Sequence, residues 1–320
     1  MKNILLSLFL LSIGLVVSPL TTMAADKTSG TILPPPKKLT EHVYAWIGPL
    51  DGPSKENHGY RMNLLFVVGK DAVSVIDTGY TEAIAEEMLA HIKRITSVPV
   101  KYAINSNSQP HRFMGNPVFQ RAGAQIIAHE KSATRMEKQV GNYATAIENI
   151  LELKPGTVKL PSPPDKIIKG DTELDLGGLS IKLWDFGAAH TPTQLVVEVK
   201  QDKLVYTGDI LYSGRLLSVQ SASNVKHWIA AYDRLKQFGD VVFVPGHGQP
   251  DKLDTFEFPT RTYLTLLLDH MSKMVEDGTD IQDAINSLDQ SQFSKLANYE
   301  ELAGRNASWT YLEREKAAFE

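Results

Sequence analysis

The sequence predicts an α/β fold in which two sheets pack together and helices cover them on the outside. Two observations carry this. Short apolar runs precede amphipathic helical stretches along the first part of the chain, and the same order returns in the second part. Each half therefore supplies a sheet with a face to bury and helices to cover its other face. In the first half the strands are Val43–Ile47, Leu64–Val68, Val73–Ile76 and Val100–Ile104. Between the last two, Thr81 is placed to cap a helix whose apolar face holds Ile84, Met88, Ile92 and Ile95. A strand at Ala124–Ala128 and a helical stretch over 130–152 follow, until Pro155, Pro161, Pro163 and Pro164 interrupt the pattern. The second half gives strands at Ser180–Phe186, Leu195–Val199, Leu204–Thr207 and Val241–Val244. Asn224 can cap a helix carrying Trp228, Ile229, Tyr232 and Leu235. Pro259 suits the first turn of another, with Leu264, Leu267, Leu268, Met271 and Val275 buried and Gly278 at its stop.

Composition narrows the class. Hydrophobic residues make up 42% and charged residues 22%, as in a soluble globular protein, and 320 residues are enough to bury a sizeable core. The net charge of −4 argues against nucleic acid or an anionic membrane surface as partner. The absence of cysteine excludes disulfides and thiolate metal sites. At the N-terminus, Lys2, the apolar run Ile4–Val17, Pro19 and the small residues up to Ala24 have the three regions of a secretory signal. That run is shorter than the roughly 20 residues a spanning helix needs, so cleavage is expected rather than anchoring. The expected organisation is a signal peptide at 1–24, a proline-rich linker at 25–38, a main domain at 39–255, and a helical extension at 256–320 packing on it. The expected location is the periplasm or the exterior.

Four segments, each after a strand, point further. They are Val75–Gly79, Gly187–Pro192 with its His190-Thr191-Pro192, Tyr206–Asp209, and Val244–Gly248. Their order and spacing resemble the metallo-β-lactamase superfamily over residues 40–255. The run from Gly208-Asp209 through Gly214-Arg215-Leu216, with Asn306, Tyr311 and Glu315, looks most like the branch associated with sulfur-oxidation and quinoprotein dehydrogenase systems. The resemblance implies a four-layer αββα sandwich with a metal site where loops leave the strand ends. It also implies a small-molecule substrate, which the fold does not name, and a periplasmic redox-system partner.

The family signature, H-x-H-x-D-H, is degenerate here. Anchored on Gly115-Asn116, the loop places Asn107 and Gln109 at two histidines, His111 at the aspartate and Arg112 at the third histidine. His190, Asp209 and His247 match the remaining ligands. Neutral amide oxygens are poor zinc donors, so the first of the family's two sites should be empty. Arg112 cannot ligate, because its guanidinium stays protonated. Three arrangements remain open. Arg112 could pair with Asp209 and replace a missing metal charge. His111, His190, Asp209 and His247 could together hold one zinc ion. Or one of the four could be loose, leaving an open catalytic site. At most one zinc ion is expected in every case.

Asp77 is read as orienting the site loop rather than ligating, or as a plain turn residue before Gly79. His58 lies in the glycine-rich loop 48–60 that overhangs the site in the family. Tyr212 and Arg215 follow Asp209 and could face substrate, as could Asn107, Gln109 and Arg112. Asn63 is read as a strand-opening residue. His42, His91, His129, His227 and His270 are read as structural. Three functions compete: a hydrolase with a mononuclear site in which Arg112 and Asp209 take catalytic roles, a metal-free binding or accessory protein that reuses the cleft, and plain zinc binding without catalysis through the closed four-ligand set.

Overall fold

A computed structural model of the chain describes residues 31–319. The expected signal peptide and residues 25–30 of the expected linker lie outside the described residues.

Seven strands form the first sheet in the order in which they occur: β1 (Lys37–Lys38), β2 (Val43–Trp46), β3 (Leu64–Val68), β4 (Val73–Ile76), β5 (Val100–Asn105), β6 (Gln125–His129) and β7 (Lys166–Ile168). Five form the second: β8 (Thr172–Asp175), β9 (Ser180–Asp185), β10 (Leu195–Val199), β11 (Leu204–Tyr212) and β12 (Val242–His247), with β12 and β8 at its edges. The helices are α1 (Glu82–Ile95), α2 (Pro110–Phe113), α3 (Asn116–Arg121), α4 (Glu130–Ile150), α5 (Val225–Arg234), α6 (Tyr263–Glu276), α7 (Ile281–Asn286) and α8 (Tyr299–Ala318).

The period-two alternation of the strands decides which side chain enters which layer. In β2 and β3, Val43, Ala45, Leu65 and Val67 point inward, where they meet Ile181, Leu183, Leu195, Val197 and Tyr206 of the second sheet. Trp46, Leu64 and Phe66 point outward to α1, where Ile84, Met88 and Ile92 are buried, and Met136 and Ile147 of α4 join the same cluster. On the far side, Val196, Val205 and Ile210 pack with Trp228 of α5 and Tyr263, Leu264 and Leu267 of α6. The result is the αββα sandwich.

Thr81 caps α1 by accepting from the Ile84 N–H at 3.3 Å, and Asn224 caps α5 by accepting from His227 at 2.8 Å. Ile95, read as part of the buried face of α1, is 39% exposed because it is the last helical residue. Pro259 sits in a π-helical turn over 257–262 rather than in the first turn of α6, and Leu268 and Val275 are only half-buried. Gly278 ends the region at φ +68°, a left-handed conformation that costs glycine little.

Part of the expected linker is anchored to the fold, although Pro34, Pro35, Lys37 and Lys38 are exposed. Leu33 is buried, the Ile32 and Leu33 N–H groups donate to the Glu87 carboxylate at 2.9 and 2.8 Å, and β1 pairs with β2. Three prolines set an extended backbone without preventing it from docking. Strands β7 and β8 escape the sequence pattern because they are short and carry few buried apolar residues.

Candidate metal centre

Parallel strands β4, β5 and β6 share one direction, as do β11 and β12. Their C-terminal ends carry Asp77, the loop from Asn105 to Arg112, Asp209 and His247. Open α/β sheets place sites at the carboxyl ends of such strands. Asn105 and Asn116 fix the loop by bonding each other's side-chain amides at 2.9 Å, and Asn105 also donates to the Arg112 carbonyl at 2.9 Å. Thr78 adds a hydrogen bond to Asn116 at 2.9 Å. Asn63, read as a strand opener, ties the β12 end together instead: it donates to the Pro245 and Gly248 carbonyls, both at 2.8 Å.

Arg112 is fully buried between two carboxylates. Its Nη2 donates to Asp209 Oδ1 at 2.6 Å and its Nε to Asp209 Oδ2 at 3.2 Å. Its Nη1 donates to Asp77 Oδ2 at 3.2 Å, the Tyr206 hydroxyl at 2.8 Å and the Asn63 carbonyl at 3.1 Å. A further bond reaches the Gly246 carbonyl at 3.3 Å. Gly246 must be glycine here, since a Cβ would stand 2.4 Å from Asp209 Oδ1 and 2.6 Å from Arg112 Nη2. Burial alone would raise the Asp209 carboxyl. Arg112, with His111 and His247, overrides this and holds it well below the usual carboxylate range. Asp77 has φ +62° and accepts from the Ser106 N–H, the Ser106 hydroxyl and the Tyr206 hydroxyl. Burial raises its carboxyl, against the donors that favour the anion. Arg112 thus stands toward Asp209 as a cation would. Its donors are all directed at protein acceptors, the arrangement in which Arg112 pairs with Asp209.

Asn107 and Gln109, where the resemblance expects two ligands of a first metal, are held by protein hydrogen bonds. Asn107 Oδ1 accepts the Gln109 N–H at 2.8 Å, and Asn107 Nδ2 donates to Asp209 Oδ2 at 2.8 Å and Gln194 at 2.9 Å. The amide therefore turns a donor, not an acceptor, toward the carboxylate, and Asn107 does not line the cavity. Gln109 lines it, with its amide nitrogen held by Gln220 at 2.8 Å.

One set of three groups does fit. Ligand atoms of His111, Asp209 and His247 lie within 4.8 Å of one another. The His247 Nδ1 sits 2.8 Å from the Arg61 carbonyl, which can only accept, so Nδ1 carries the proton and Nε2 the lone pair. That Nε2 is 3.4 Å from Asp209 Oδ1. His111 Nε2, buried and without a hydrogen-bond partner, is 3.6 Å from Asp209 Oδ2. Burial, with Arg112 beside it, pushes His111 down to about 3, and burial holds His247 well below the usual imidazole range. Both rings are neutral near pH 7. Two imidazole nitrogens and a carboxylate make a three-ligand set of the kind that holds zinc. His190, expected among the ligands, stands outside this group; its ring packs edge-on against Trp228 at 5.2 Å and its buried Nδ1 has no partner.

A cavity of about 160 Å³ opens beside the group. His111, His190, His247, Tyr212 and Arg215 line it. His58 does not: it is exposed at φ +51° on the loop, and Pro53 reaches the cavity instead. His129 is buried against Asp185 at 3.2 Å and His42 bonds Asp202 at 2.7 Å, away from the site. Sequence reasoning missed Gln194, Tyr206 and Arg61. Tyr206 lies inside a quoted segment but reads as a strand residue, and nothing local marks Arg61.

This combination defines a two-sheet αββα scaffold with a candidate metal group on loops at the strand ends. The metallo-beta-lactamase superfamily model matches residues 62–247, more than half of the chain, and the protein belongs to that superfamily. Among solved structures, a metallo-beta-lactamase from Pontibacter korlensis is similar at 24% identity and TM-score 0.58, over 72% of this chain and 98% of that one. The DIM-1 metallo-beta-lactamase is similar at 15% and 0.56, over 73% and 98%. TMB-1 follows at 16% and 0.55, over 72% and 96%. These likenesses speak for the fold.

Proposed function

We propose that this is an exported, hydrolase-like member of the superfamily whose metal centre is reduced to at most one ion, held by His111, Asp209 and His247. The observation that carries the reading is the convergence of two imidazole nitrogens on the Asp209 carboxylate. A bound zinc ion there would supply Lewis acidity and lower the pKa of a bound water. Within the chain, the Arg61 carbonyl fixes the His247 tautomer, Asn107 and Arg112 orient Asp209, and Tyr212 closes one wall of the cavity. With no donors for a second ion, nothing shares the tasks of polarising the substrate and presenting hydroxide. Turnover of a β-lactam or a simple ester should therefore stay close to the uncatalysed rate, with or without added zinc. Rapid turnover by the unaltered chain would overturn the reading.

A second reading, a metal-free accessory protein with a binding cleft, is favoured by one observation: Arg112 engages both Asp209 oxygens. The two readings separate on zinc binding. Export carries its own check. The mature periplasmic chain should begin near Ala25, and an intact mass that retains residues 1–24 would contradict it.

A further inference from the structure

The cavity holds more positive charge than its neighbours balance. Arg61, Arg215 and Arg305 all line it, together with His190, Ser218 and Glu301. Arg215 is 2% exposed, spends its Nε on the Leu216 carbonyl at 3.3 Å, and has a buried Nη1 without any partner. The Arg61 Nε is likewise buried and unpartnered. Among the described residues, neither guanidinium is in an ion pair. Glu301, the carboxylate among the lining residues, lies 3.9 Å from Arg305, whose Nη2 donates to the Ser218 hydroxyl at 3.1 Å. Burial, with Arg61 nearby, pulls Arg215 down to about 10, which still leaves it charged at neutral pH. A buried cation without an anion is costly, so the buried Arg215, with the half-buried Arg61 facing the same cavity, calls for a counter-charge from outside the chain.

We infer that the cavity binds a compact oxyanion: a carboxylate, or a tetrahedral sulfur or phosphorus oxyanion, carried by the ligand. The guanidinium fork matches such groups with paired charge-assisted hydrogen bonds. About 160 Å³ is below the roughly 300–1,000 Å³ of pockets for drug-sized molecules, so the anionic end is small. Seated on Arg215 and Arg61, it would direct the rest of the ligand toward His190 and His247. The inference deepens the hydrolase-like reading by naming a substrate class, yet it does not depend on a metal.

The full-length mature chain, stripped of metal with a chelator, is titrated calorimetrically with acetate, sulfate and inorganic phosphate in low-chloride buffer. Saturable binding of at least one is expected, acetate marking a carboxylate site and sulfate or phosphate a tetrahedral one. Arg215→Leu should weaken it roughly tenfold or more, Arg215→Lys less, and Arg121→Leu on the surface not at all. Where Arg215→Leu does not fold, Arg61→Leu carries the comparison. No saturable binding by the folded chain, or unaltered binding by folded Arg215→Leu or Arg61→Leu, overturns the inference. Because metal is absent throughout, failure of the zinc reading leaves this result standing.

Discussion

Arg112→Met should destabilise the protein by about 3–5 kcal/mol, the usual cost of removing one partner from a buried charge pair. The side chain volume is kept while the guanidinium is lost. Asp77 and Asp209, both fully buried, would then face each other's surroundings without the cation between them. Three further acceptors, the Tyr206 hydroxyl and the Asn63 and Gly246 carbonyls, would also lose a donor. At roughly 2–4 °C per kcal/mol for a chain of this size, the melting temperature should fall by on the order of 10 °C. Arg121→Met is the control, since its ion pair with Glu82 is largely exposed and should be worth under ~1 kcal/mol. A thermal or denaturant melt of both variants decides the matter. An Arg112 variant as stable as the surface control would remove the case that Arg112 stands in for a metal.

Rebuilding the signature should produce the other large effect. In Asn107→His, Gln109→His, His111→Asp and Arg112→His combined, the two amides become imidazoles and the guanidinium over Asp209 becomes a ligand. The Asp209 oxygens are then free to face an ion rather than Arg112 and Asn107. Zinc content should rise above that of the unaltered chain, and hydrolysis of a generic ester or β-lactam should rise roughly a hundredfold or more, comparable to what one well-placed electrostatic group contributes. The variant must be folded and assayed with zinc present, because it also loses the buried pair that stabilises the native site. A folded variant with neither gain would show that further features of this cleft, not the four positions, set its chemistry.

Much of the fold was legible because its strands are buried on both faces and its helices are amphipathic. Thr81 and Asn224 cap the helices their positions suggested, and the four glycine-bearing segments arrive together at one edge of the sandwich. What was not legible depended on tertiary context. Leu33 looked like linker because three prolines follow it, but its docking is decided by Glu87, 54 positions away in the chain. The edge strands β7 and β8 lack an apolar pattern strong enough to announce them.

The site divides along the same line. The residue types from Asn107 to Arg112 could be read, but where each side chain points could not. Whether Arg112 met Asp209 or the ligand turned on side-chain direction, and the acceptors that hold it come from Asn63, Asp77, Tyr206, Asp209 and Gly246, distant in sequence. His190 lies in a segment that resembles the family's, yet its ring packs against Trp228 and Tyr212 and it stands outside the group of His111, Asp209 and His247. Arg61 carries no local signal because its influence runs through a backbone carbonyl and an orphaned Nε.

The most direct measurement is the zinc stoichiometry of the unaltered protein. After exposure to modest zinc and buffer exchange, elemental analysis should return no more than about one ion per chain, because only His111, Asp209 and His247 converge as a ligand set among the described residues. Any ion bound should be lost in His247→Ala. Two tightly held ions per chain would contradict the account, since the second would have to sit on amide oxygens, which are poor zinc donors, and on a guanidinium that offers no lone pair.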